Sequence, residues 1–90
     1  MRKENKKVYR QLRECGVPFV DAHRIAQLML RDTLKAYAFA SKCPWAKPGE
    51  SDMGCYPAHE EVWGYSSVVL PNGFSLVSHS HDGVYVAPFP

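Results

Sequence analysis

Apolar residues recur at helical spacing through the first half of this chain and change period in the second. Between residues 3 and 15, Val8, Leu12 and Cys15 share one side of a helix drawn at 100° per residue. Lys3, Lys6, Lys7, Arg10 and Arg13 share the opposite side, with Tyr9 at the border. Gly16 suits the left-handed position that ends a helix, and Pro18 cannot continue it. A second helix is predicted from Pro18 to Ser41, with proline in its first turn and Asp21 near the positive end of its dipole. Its apolar arc includes Ile25, Ala26, Met29, Leu30, Leu34 and Tyr37. Leu28 and Phe39 stand nearly in line on the otherwise polar half, where either the sheet or a partner must cover them.

From Tyr65 onward the apolar residues come in short β-branched and aromatic runs. Strands are predicted at 65–70, 74–78 and 84–87. Pro71-Asn72-Gly73 joins the first two, and the segment 79–83, with Asp82-Gly83, joins the next two. Pro88 and Pro90 mark the last strand as an edge. The stretch 42–64 reads as a loop pinned to the core by Trp45, with a short helical turn opening on Pro57. The expected fold is a single α+β domain over residues 1–90: a helical hairpin (3–41) packed in two layers on a three-stranded antiparallel β-meander (65–88). Its expected core is Val8, Leu12, Ile25, Ala26, Met29, Leu30, Leu34, Tyr37, Trp63, Val69, Leu76 and Val86. On that reading Leu30→Ala and Leu34→Ala each cost about 2–4 kcal/mol and Leu28→Ala less than about 1.

Ninety residues, 46% hydrophobic and 22% charged, are ordinary for one small globular domain. A net charge of +2 is too mild for a whole-surface nucleic-acid binder, so any electrostatic role must be local. The basic first residues lead into no apolar signal core, and no stretch approaches the ~20 apolar residues that span a bilayer. These features, with an odd three cysteines, predict a cytoplasmic chain with reduced thiols and no membrane partner.

Cys43, Cys55, His59, His79 and His81 are the candidate metal ligands. They lack Cys-x-x-Cys pairing or any common zinc spacing, so no metal and no cofactor is expected. A zinc-stabilised domain is the third alternative for function. Catalysis would need Cys55 with His59 and Glu60, or Ser80 with His81 and Asp82, but no nucleophile elbow, His-Glu-x-x-His or glycine-rich phosphate loop is present. The chain is therefore expected not to be an enzyme and to have no small-molecule substrate.

The basic face of Lys3, Lys6, Lys7, Arg10 and Arg13 is suited to an acidic protein patch. It lacks companion side chains that read bases, so contact with nucleic acid would be non-specific. Seven Trp, Tyr and Phe residues lie beyond residue 44; most must build the core of so small a chain, leaving two or three at most for a partner. Leu28, Phe39, Tyr85 and Phe89 are the apolar and aromatic partner-binding candidates. Together these features predict a non-enzymatic protein-binding module, an inhibitor or adaptor of a larger protein, with virus-encoded modulators of host proteins among the examples of that class. A nucleic-acid-associated protein using the basic helix is the alternative.

Overall fold

The computed structural model describes residues 3–56 and 61–88, and the side chains from Lys6 to Cys55 and from Trp63 to Pro88. Three helices precede four strands: α1 (Lys3–Glu14), α2 (Phe19–Arg31), α3 (Thr33–Ser41), β1 (Lys47–Tyr56), β2 (Glu61–Val69), β3 (Ser75–His79) and β4 (Gly83–Ala87). The class is α+β, helices first and an antiparallel meander after, with sheet order β1-β2-β3-β4. The sheet has four strands rather than the expected three, and the helical part has three helices rather than two.

Gly16 adopts φ +83° just beyond α1, and Val17 N–H closes the turn on the Leu12 carbonyl at 3.1 Å. The long second helix divides at Asp32, whose backbone is extended. Asp32 Oδ1 accepts from the N–H groups of Leu34 and Lys35 at 3.1 and 3.2 Å, so it caps α3 instead of continuing α2. Neither group then needs a bond from the preceding turn, which makes the break inexpensive.

Helices α1 and α3 both pack against α2, and α3 lies against β3 and β4. Leu12, Val17, Ile25, Leu70 and Leu76 are the largest fully buried side chains. Each contributes roughly 1.5–3 kcal/mol by leaving water. Several core expectations need correction. Leu30 is 43% exposed and Leu34 67% exposed, because the inward face of α2 centres on Ala22, Ile25 and Ala26 and the break at Asp32 re-phases the turns beyond it. Leu28 and Phe39, expected on the polar side, instead pack half-buried against the core. Val8, Met29, Tyr37, Trp63, Val69 and Val86 are half-buried, while Leu12, Ile25, Ala26 and Leu76 are buried as expected.

The extra strand, β1, occupies what read as a loop. Its residues include Pro48, Gly49, Glu50 and Asp52, which have little β-propensity, and it forms because β2 supplies a partner over nearly its whole length. Charge and proline are also what protects an outer strand from further pairing. The register shifts between Pro48 and Ser51, so Gly49 and Glu50 together oppose Ser67 in a bulge. A side chain on Gly49 would collide with Ser67. Strand β2 begins at Glu61, so the helical turn expected over 57–63 does not extend into 61–63; Pro57 itself lies outside the described residues.

Both predicted hairpin turns form, with Gly73 at φ +95° and Gly83 at φ +79°. Asn72 N–H also donates to the Cys15 carbonyl at 3.0 Å, tying the β2–β3 turn to the end of α1. Trp45 holds the loop before β1 as expected, its indole N–H donating to Asp21 Oδ2 at 2.9 Å. No helix among the described residues is long and apolar enough to cross a membrane.

Candidate functional site

The meander's register sorts its side chains onto two faces. Leu76 and its cross-strand neighbours Val68 and Val86 point toward the helices, with Val84 beside them. The alternate residues point the other way: Trp63, Tyr65 and Ser67 from β2, Val77 and His79 from β3, and Tyr85 from β4. They line one groove of about 400 Å³, with Glu50 at its β1 side and Pro88 at its β4 end. The helices cover only the opposite face, so the groove is open. Tyr85 is 39% exposed there, while Val77 forms its floor at 9%.

Local chemistry arranges the groove. Trp63 stands opposite Gly54 and its ring lies across the glycine, where a Cβ would come within 2.5 Å of the indole. Tyr65 and His79 are cross-strand partners with nearly parallel rings, 6.3 Å between centroids and 7° between planes. His79 Nδ1 accepts from the N–H groups of His81 and Asp82 at 3.1 and 3.3 Å and lies 3.6 Å from Asp82 Oδ2. Glu50 reaches this face through the bulge, and its carbonyl accepts from Ser67 Oγ at 2.7 Å.

Charge divides the molecule in the same way. All eleven lysines and arginines precede Pro48, together with four of the nine carboxylates. The remaining five acidic residues lie beyond it; with Lys47 itself on β1, the formal charges are +6 before the sheet and −4 from β1 onward. The net value of +2 conceals this split.

The predicted basic surface lies on the helix layer, away from the groove. Lys6, Lys7 and Arg10 are exposed and line a shallow depression on α1 that Gln11 and Glu14 complete. Arg13 is committed elsewhere, its Nη1 donating to the Val17 carbonyl at 2.8 Å across the turn after α1. Lys3 is in α1, but its side chain, like Phe89, lies outside the described set. Of the three apolar partner-binding candidates among the described residues, Tyr85 is exposed and Leu28 and Phe39 are half-buried. Lys6, Lys7 and Arg10 on α1 and Tyr85 on β4, expected to meet one partner together, lie in different layers.

The chemistry-bearing residues do not converge. Cys15 is buried, Cys43 half-buried and Cys55 exposed, all as free thiols. Burial pushes the Cys15 thiol above its ordinary value, with the Glu14 charge adding to the rise and a hydrogen bond with Asn72 opposing it. Burial and then the Asp21 carboxylate do the same for Cys43. Both are thereby poor nucleophiles at neutral pH. Ser80 is bonded into the sheet end, its N–H donating to the Gly64 carbonyl and its Oγ accepting from Gly64 N–H, at 2.9 and 3.0 Å. The rings of His79 and His81 lie 5.9 Å apart, but among the described residues no three His, Cys, Asp or Glu side chains gather as metal ligands. His59 and Glu60 lie outside that set.

Trp63, Tyr65 and Glu50 were not expected as surface residues. Their signal was present in the every-second-residue spacing of Trp63, Tyr65 and Ser67 and in the absence of lysine and arginine after Lys47. Compared with known proteins, the chain matches no family model, no curated protein and no solved structure.

Proposed function

We propose that the protein is a non-enzymatic docking module that acts as an inhibitor or adaptor of a larger protein, using the open face of its sheet. The observation that carries this reading is the groove of Trp63, Tyr65, Val77, His79 and Tyr85, an aromatic surface that no helix covers. Tyrosine and tryptophan bury much area at small entropic cost, which is why they concentrate where proteins bind proteins. The scattered thiols and hydroxyls give no comparable support to catalysis.

A second reading, association with nucleic acid, is favoured by Lys6, Lys7 and Arg10 side by side on α1. Three exposed cations support weak, salt-sensitive contact with phosphates and no sequence reading. Affinity capture from native lysate separates the two when wild type and Tyr85→Ala are run with and without nuclease. Circular dichroism checks that the variant is folded. The docking reading expects a protein that survives nuclease and is lost from the Tyr85→Ala sample. Loss of every bound protein on nuclease treatment, with Tyr85→Ala behaving as wild type, would replace it with the second reading.

A further inference from the structure

The groove's composition selects among partners by charge. Its aromatic walls, Trp63, Tyr65 and Tyr85, present ring faces whose quadrupole is negative, and Glu50 adds a carboxylate at the β1 side. Lys47, at the start of β1, is the one lysine or arginine on these strands, and none lines the groove. His79 is turned to structural use at Nδ1 by two backbone donors. A phosphate backbone entering here would meet the Glu50 carboxylate and aromatic rings, with no lysine or arginine in the lining to neutralise it. A guanidinium or ammonium group would be attracted by both.

Geometry limits how such a group arrives. About 400 Å³ exceeds the volume of one cationic head, and it suits a side chain together with part of the segment that carries it. Strand β4 is the outer strand beside the groove, and it contains neither proline nor charge. An outer strand of this kind accepts another extended segment by backbone pairing, and alternate side chains of the added segment then point to the face that bears Tyr85. Strand β1, at the other edge, carries Pro48 and a bulge that oppose such pairing.

We infer that the open sheet face receives an arginine or lysine side chain presented on an extended segment of a protein partner, held between the aromatic walls and Glu50. The inference rests on the docking reading and names the chemistry of what docks.

Two acetylated and amidated pentapeptides test it on the full chain: Thr-Val-Arg-Val-Thr, and the same peptide with citrulline, the neutral isostere, in place of arginine. The indole N–H resonances read the site, because Trp63 lines the groove while Trp45, bonded to Asp21, serves as an internal control. The arginine peptide is expected to shift Trp63 saturably, to leave Trp45 in place, and to bind about tenfold more tightly than the citrulline peptide. Glu50→Gln is expected to weaken the arginine peptide about threefold or more and to leave the citrulline peptide unchanged. That carboxylate is exposed, so the variant keeps its fold. Equal affinity of the two peptides would overturn the cationic inference while leaving docking at this face intact. Failure of both peptides to shift Trp63 would also overturn it, and if Tyr85→Ala captured partners as wild type does, the docking reading would fall too. Displacement of the arginine peptide by oligothymidylate would reassign the groove to single-stranded nucleic acid.

Discussion

Leu76 and Leu34 are chemically identical and energetically unlike. Leu76 is 1% exposed at the centre of the helix–sheet core, and Leu34 projects from the first turn of α3 into solvent. Truncating Leu76 removes packed methyl groups and leaves a cavity, so Leu76→Ala and Ile25→Ala are each expected to cost about 2–5 kcal/mol. Leu30→Ala and Leu34→Ala should each cost less than about 1 kcal/mol, reversing the ranking that helical periodicity alone suggests. Leu28→Ala should fall between the two groups, because its side chain is half-buried against the core. Denaturant titration of the five variants gives the order directly. Equal losses at Leu34 and Leu76 would mean that something covers α3 in solution.

At the scale of elements, the pattern made legible whatever residue chemistry decides locally. Gly16 ended α1, Asn72-Gly73 and Asp82-Gly83 made turns, and the β-branched runs made β2, β3 and β4. What escaped was decided by partners distant in sequence. Strand β1 has the composition of a loop and exists because β2 pairs with it, which no local period reports. The division at Asp32 was legible in principle, since Asp followed by Thr is good capping chemistry, but a continuous apolar arc outweighed it. Asp32→Ala removes the acceptor for two N–H groups and should cost about 1 kcal/mol. Asp32→Asn should retain most of that stability. Thermal melts of the pair distinguish a cap from a simple surface charge, which Asn would lose as fully as Ala.

Over the whole molecule, the segregation of charge matters more than its sum. A basic depression on α1 and an aromatic groove with one carboxylate on the sheet give the protein two surfaces with different preferences. The basic set was expected to steer the same partner that the aromatic set retains. The molecule is 20–25 Å across its two shorter axes, whereas charge is screened over about 8 Å at physiological ionic strength. The α1 cations are therefore largely invisible from the groove. Replacing Lys6, Lys7 and Arg10 together with glutamine should change the association rate of a groove-bound protein partner by less than about twofold at physiological salt. Arg13 is left out of that set because its bond to the Val17 carbonyl supports the turn after α1. Tyr85→Ala should act mainly on dissociation, as the loss of a buried aromatic contact usually does. The two sets of changes should be additive, since they share no contact. Stopped-flow binding at two salt concentrations reads all three expectations. A tenfold slowing by the triple replacement, disappearing at high salt, would show instead that a single partner wraps both layers.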